Sequence, residues 1–170
     1  MYQTSINPSR QKTQAIVKQA AAKAGIEMEL KSVQASQYFS SDLANPDTYS
    51  HFYTDIQMYT TTMTQPDAEL FMLQFTSWEA ASKDNKFQGR NITRWRNEEY
   101  DKMFRAAETE MDPVKRAALF IKMNDMVIGN VVVIPVVQRP GVAAVSSRLK
   151  VERSGWDSDF WALQNWYREG

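Results

Sequence analysis

The stretch from Tyr2 to Val33 constrains the fold more than any other part of this 170-residue chain. Asn7-Pro8 is a helix start: asparagine caps free N–H groups, and proline takes the first helical position, where its missing N–H costs nothing. Thr13, Ile16, Val17, Ala20 and Ala24 follow at helical spacing and predict one apolar face. Gly25 then supplies the left-handed residue that commonly closes a helix. In IEMELKSV, Ile26, Met28 and Leu30 alternate with Glu27, Glu29 and Lys31, the period of a strand with one buried face. Strand, helix, glycine, strand is a βαβ unit, which commits the chain to parallel pairing through a crossover helix. Its first strand has to lie in YQTSI, a remnant of the usual length. Further chain is therefore expected ahead of Met1, which need not be the native start.

The rest of the chain continues the alternation. SQYFSSDLANPDTYSHFY has turn signals at Asn45-Pro46 amid scattered aromatics and predicts a loop with one short helix. Ile56 and Met58 share a face and predict a strand. Gln65-Pro66-Asp67 opens a short helix through AELFMLQF, with Asp67 as its cap. TSWEAASKDNKFQGRNITRW is polar and irregular, and predicts a long surface loop. Asn97 caps a helix whose apolar stripe is Tyr100, Met103, Phe104, Ala107 and Met111. Asp112-Pro113 opens another through Gly129. VVVIPVVQ and GVAAVSS predict strands, with Pro135 marking an edge or bulge. Strands alternating with helices give an α/β fold.

Several function classes fall away. Lys plus Arg equals Asp plus Glu at 20 each, so net charge favours neither nucleic acid nor an anionic membrane. Cysteine is absent, which removes disulfides, thiolate zinc sites and cysteine nucleophiles. No apolar run approaches the ~20 residues of a membrane span. His51 is the single histidine, with Asp42, Asp47 and Asp55 near it in sequence. One histidine among scattered loop carboxylates reads as solvated surface. A Ser-His-Asp triad would have to use it, and no Gly-x-Ser-x-Gly elbow exists. The six glycines are scattered singly and build no phosphate loop. No catalytic residue, metal ligand or cofactor is assigned, and the chain is not read as an enzyme.

The order of motifs resembles a known family. NPSRQKTQAIVKQAAAKAGIEMELKSV is similar to the opening of the second lobe of family 5 extracellular solute-binding proteins, the oligopeptide- and dipeptide-binding components of bacterial ABC importers. A strand similar to TDIQMYTTTM, a Pro-Asp helix start at Pro66-Asp67, NITRWRNEEYDKM from Asn91 to Met103, and DPVKRAALFIKMNDMVIGNVVVIPVV from Asp112 to Val137 follow in the family's order. The resemblance runs from Tyr2 to Trp166. It implies the C-terminal lobe of a two-lobed, type II periplasmic-binding-protein-like fold, a mixed sheet flanked by helices, with the signal peptide and first lobe upstream. Residues 1–138 would form the ligand-binding lobe, and 139–170 would cross the hinge and pack on the other lobe. The implied function is binding of a peptide or related small solute in the periplasm or outside the cell, for delivery to an ABC permease in the membrane. A free-standing α/β interaction domain without a transport role is the alternative.

The family's peptide-holding positions, an aromatic and an aspartate four residues before the loop proline, match Tyr59 and Thr62. The aromatic is kept and the carboxylate is not, so a free peptide amino terminus is not the expected anchor. With Thr60 and Thr61 the segment offers hydroxyls to a neutral, polyol-like or anionic solute, and Trp78 in the polar loop is a further expected ligand contact. Arg94 is expected to be solvated and packed on Trp95. The tail carries Trp156, Phe160, Trp161, Trp166 and Tyr167. In isolation such a fragment is expected to bury it in a homo-oligomer or leave it disordered.

Overall fold

Asn7 does what its position predicts. In the computed structural model, which describes residues 1–42, 44–63, 65–138, 140–154 and 160–170, its side chain accepts from the N–H groups of Ser9 and Arg10 at 3.0 and 3.2 Å. Helix α1 (Pro8–Lys23) starts there and ends at Gly25, whose φ of +77° is open to glycine at no steric cost. The strand before it, β1 (Tyr2–Ser5), pairs in parallel with β2 (Leu30–Val33) on one side and β3 (Ile56–Met58) on the other. The three-stranded parallel sheet therefore has the order β2-β1-β3.

Two details of the opening unit differ from the sequence expectation. Strand β2 begins only at Leu30, and Ile26 is exposed. The face of α1 turned to the sheet is not the apolar one: Ile16 is 66% exposed, while Gln14 is 1% exposed. The cause is polar. Gln14 Nε2 donates to the carbonyls of Tyr2 at 2.8 Å and Lys31 at 3.2 Å, clamping the helix over the β1–β2 pair. A buried amide must be satisfied, and that requirement sets the helix rotation here.

After β3 the chain becomes helical. A short helix, α2 (Ala35–Tyr38), precedes that strand. Beyond it, Asp67 accepts from the N–H of Glu69 at 2.8 Å, but the cap position of α3 (Glu69–Met72) is Ala68, one residue later than expected, and the helix tightens into a 3₁₀ turn over Leu73–Phe75. Asn97 and Asp112 cap α4 (Glu98–Thr109) and α5 (Pro113–Gly129) as expected. Met72, Phe75, Tyr100, Phe104, Ala107, Met123 and Val127 form one apolar cluster between these helices. Met111, expected on the same stripe, is 91% exposed because α4 stops at Thr109 and the chain turns away toward the next cap. Arg116 ties the three helices together, donating to Asp67, to Glu69 at 2.7 Å and to the carbonyl of Ala107 at 2.9 Å.

The segment from Thr76 to Trp95 is not an open surface loop. Ala80 and Asn91 form a bridge that folds it back on itself. Asn91 is 0% exposed and donates to the carbonyls of Thr76 and Trp95 while accepting from Thr93. Gly89 passes so close to the Glu79 carbonyl that a Cβ there would collide with backbone.

The expected strands over VVVIPVVQ and GVAAVSS are not formed. Residues 131–138 and 140–146 have no ladder partner among the described residues, and Val142 is 86% exposed. A strand exists only as a pair, and β propensity alone does not supply the second member. The chain instead forms a short antiparallel ribbon, β4 (Leu149–Lys150) with β5 (Tyr167–Arg168). Of the aromatic tail, Phe160, Trp161 and Tyr167 are exposed, and Trp166 is half-buried. Trp156 lies outside the described residues.

Candidate functional site

The strand order creates a crevice. From β1 the chain goes by α1 to β2 on one side, and the next strand, β3, lies on the other side. Connections therefore diverge between β1 and β3, and the carboxyl ends of those strands are where open α/β sheets place ligands. The residues there are Ser5 at the end of β1, Tyr59 and Thr60 just past β3, and Arg10 in the first turn of α1.

The aromatic ring system at this rim is continuous. Tyr59 meets Tyr49 with ring centroids 5.6 Å apart, and Tyr49 meets Tyr38 at 6.3 Å and Phe39 at 5.9 Å. Tyr38 stands edge-on to Phe39 at 4.9 Å. Helix α2, capped without any side-chain bond, delivers Tyr38 and Phe39 to this place. Tyr38 is fully buried, and its hydroxyl donates to Gln57 Oε1 at 3.0 Å. Burial pushes the hydroxyls of Tyr38 and Tyr59 above their ordinary pKa, so both remain protonated donors at neutral pH.

Arg10 reaches across the crevice. Its Nη1 donates to Ser5 Oγ and its Nη2 to Thr60 Oγ1 at 3.3 Å, and its guanidinium carbon lies 5.6 Å from the centre of the Phe39 ring. Thr61 and Thr62 follow, exposed. Tyr59 and Thr60 are thus brought together with groups that the sequence pattern did not single out: Ser5, Arg10, Tyr38, Phe39 and Tyr49. Those aromatics were visible only as a scatter in a loop.

Trp78 is held by another element. Its ring meets Phe104 of α4 at 5.7 Å, and the Arg105 guanidinium covers its face at 4.0 Å. Arg94 is not solvated on Trp95. With a positive φ of 58°, it donates to the carbonyls of His51, Phe52 and Ala81, pinning the 76–95 segment to the loop before β3. Burial lowers the pKa of its guanidinium. His51 is half-buried, with Nδ1 2.6 Å from the Asn45 carbonyl and its ring edge-on to Phe87 at 3.8 Å. That corrects its reading as solvated surface.

Beside the aromatic rim lies a hollow of about 350 Å³ between residues 39–42, 48–51 and 86–92, with Phe39 and Tyr49 in its wall. A second hollow, about 480 Å³, has Asp67, Glu69 and Glu108 at its border. Its acids already face Arg116 and Arg105, so it is a neutralised structural feature. Among the described residues no cluster of metal-ligating side chains occurs, and no helix is long and apolar enough to cross a membrane.

Comparison with solved structures finds the oligopeptide-binding protein from Thermus thermophilus, crystallised in complex with a pentapeptide. It superposes with a TM-score of 0.62 at 20% sequence identity, over 77% of this chain and 22% of that one. The chain therefore spans well under half the length of that structural neighbour, and the likeness establishes the fold. No family model and no curated protein matches the sequence.

Proposed function

We propose that this chain is the C-terminal lobe of a solute-binding protein of the oligopeptide-binding type, and that it holds its solute at the carboxyl ends of β1 and β3. The observation carrying this reading is the rim where Tyr59, Tyr49 and Phe39 adjoin the hydroxyls of Ser5 and Thr60 at the divergence of the sheet. Aromatic faces give a platform without demanding one side chain, and hydroxyls fix orientation. The structural neighbour, a binding protein that takes a pentapeptide, supports a binding role over catalysis.

In this reading, residues 1–138 form the lobe and 139–170 cross toward a first lobe, against which the exposed valines of 131–145 and the tail aromatics would pack. Closure of the two lobes traps the solute through contacts made only in the closed state. Delivery to an ABC permease from the periplasm or cell exterior follows from the same reading. Without the first lobe, the exposed apolar surface would drive self-association. Thr60, Thr61 and Thr62 line the rim, and Trp78 would contact solute only from the side of α4.

The test is calorimetry on the two-lobed protein with a pentapeptide as probe. Tyr59→Ala should weaken binding by about 1–3 kcal/mol, the loss of a stacking anchor. Unchanged affinity in a correctly folded variant would place the solute elsewhere.

A further inference from the structure

The hollow of about 350 Å³ between the loop before β3 and the 76–95 segment is walled by rings. Phe39 and Tyr49 enter it as a tilted pair with centroids 5.9 Å apart, and His51 and Phe87 as an edge-on pair at 3.8 Å. Ile92, 6% exposed, adds a buried aliphatic surface. Tyr49, His51 and Phe87 are half-buried and Phe39 is exposed, so the four rings border a space instead of filling it. None of Ser5, Arg10, Tyr59 and Thr60 lines that space. It is therefore distinct from the crevice at the strand ends and adjoins it through Tyr49, whose ring meets Tyr59.

The walls are held in place at a cost. Five non-glycine residues have a positive φ among the described residues, and four of them build or brace the hollow: Lys86 and Phe87 line it, while Phe52 and Arg94 join the two segments behind it. Such conformations persist only where the surroundings over-determine them. Here the Phe87 N–H donates to the Ser82 carbonyl at 2.7 Å, and Asn85 braces the same turn through Ser82 and Ala80. His51 Nδ1 lies 2.6 Å from the Asn45 carbonyl, and the His51 carbonyl accepts from Arg94. The hydroxyls in the wall are already engaged: Ser40 accepts from the N–H of Asp42, and Thr48 and Ser50 bond to each other. The rings are what the hollow offers to a ligand.

We propose that this hollow is a pocket for one planar aromatic group. Its volume is at the low end for ligand sites, which suits a single ring system and not a whole oligopeptide. An inserted ring would meet faces and edges of Phe39, Tyr49, His51 and Phe87, the offset and edge-on arrangements that aromatic pairs favour. Because the walls are fixed beforehand, little ordering is left to oppose binding. For its biological role the pocket rests on the solute-binding reading: the ring is then carried by a solute lying on the Tyr59–Tyr49 rim, and the protein selects solutes that bear one. The pocket itself can be tested without that reading.

The experiment is an NMR titration of the 170-residue chain with p-cresol, the side chain of tyrosine, and with 4-methylcyclohexanol, which has a similar size and no π face. His51 is the single histidine, so its ring protons report from the wall of the hollow without overlap. p-Cresol should move them saturably, and 4-methylcyclohexanol should do so with a midpoint about threefold higher or more. Phe87→Ala should raise the p-cresol midpoint by about threefold to tenfold. Phe39→Ala, on the other segment and free of the positive-φ turn, should act in the same direction, and the rest of each spectrum reports folding. Equal midpoints for the two probes, no saturation, or a p-cresol midpoint unchanged in both variants would overturn the pocket. Saturable p-cresol binding in a protein that takes no peptide would leave this inference standing and sink the peptide reading alone.

Discussion

Around β1 the buried side chains include Gln3, Thr4, Ser5, Gln14 and Thr48, whereas between α3, α4 and α5 they are Met72, Phe75, Tyr100, Phe104, Ala107, Met123 and Val127. The sheet half is cemented by directed bonds. Gln14 grips two strand carbonyls, Gln3 donates to the carbonyl of Asp47 at 2.9 Å, and Thr4 donates to the carbonyl of Met58 at 2.6 Å. The helical half is held mainly by apolar contact, with Arg116 bonding across the helices at its edge and the buried hydroxyls of Tyr100 and Thr76 donating to the Met72 carbonyl at 2.6 Å and the Leu73 carbonyl at 2.9 Å. Apolar burial is non-directional and scales with area, while a buried polar group contributes little net stability but is expensive to leave unpaired. The helical half therefore supplies most of the stabilising burial. The sheet half supplies position, which a binding crevice needs.

Truncation in the apolar cluster gives the largest expected effect. Phe104→Ala should cost about 3–5 kcal/mol, read as a lowered urea midpoint with unchanged slope. A loss under about 1 kcal/mol would mean the cluster does not carry the fold. An intermediate effect is expected at Gln14. Gln14→Leu keeps the volume but strips the carbonyls of Tyr2 and Lys31 of a donor, at about 1–3 kcal/mol. A penalty matching that of Phe104→Ala would erase the contrast between the halves.

The smallest effect is electrostatic. The hydrogen bond from Lys31, joined by that from Tyr53, holds the Asp47 carboxyl below the usual carboxylate range. A depressed folded pKa gives stability that is present above the unfolded value, about 3.9, and lost as pH falls through the folded one. Both partners are partly exposed, so the contribution is held to under about 1 kcal/mol. Asp47→Asn should lower the urea midpoint slightly at neutral pH and remove part of the acid slope below pH ~4. A slope identical to the parent's would assign acid sensitivity elsewhere, with Asp67 beside Arg116 the next group to substitute.

What could be read from the sequence divides along the same line. The starts of α1, α4 and α5 were legible because Asn7, Asn97 and Asp112 act on N–H groups two or three residues away. The stripe of α4 was legible because Tyr100, Phe104 and Ala107 need only be apolar at the right spacing. The rotation of α1 was hidden, since it depends on Gln14 finding carbonyls 12 and 17 residues away in sequence. The closure of the 76–95 segment depends on Gly89 and Asn91 meeting distant backbone. The strands expected near Pro135 failed because propensity says nothing of a partner. Tyr59 and Thr60 were identifiable as site residues from the resemblance, but Arg10 became visible only once the strand order set Ser5 and Thr60 side by side.

Strand β1 lies between two partners, and this governs how the crevice behaves in time. Its N–H groups and carbonyls bond to β2 and to β3, with flanking bonds from Tyr2 to the Glu29 carbonyl at 2.8 Å and from Ile6 to the Val33 carbonyl at 2.7 Å. Loosening one edge exposes only those β1 groups that bond across it, so the middle strand as a whole is freed only when both sides part. Such openings are rare and cooperative, and amides guarded by them exchange their hydrogens far more slowly than those on an edge. Ser5 closes the strand that opens last, so the crevice keeps a fixed wall on the β1 side while its β3 side is free to breathe.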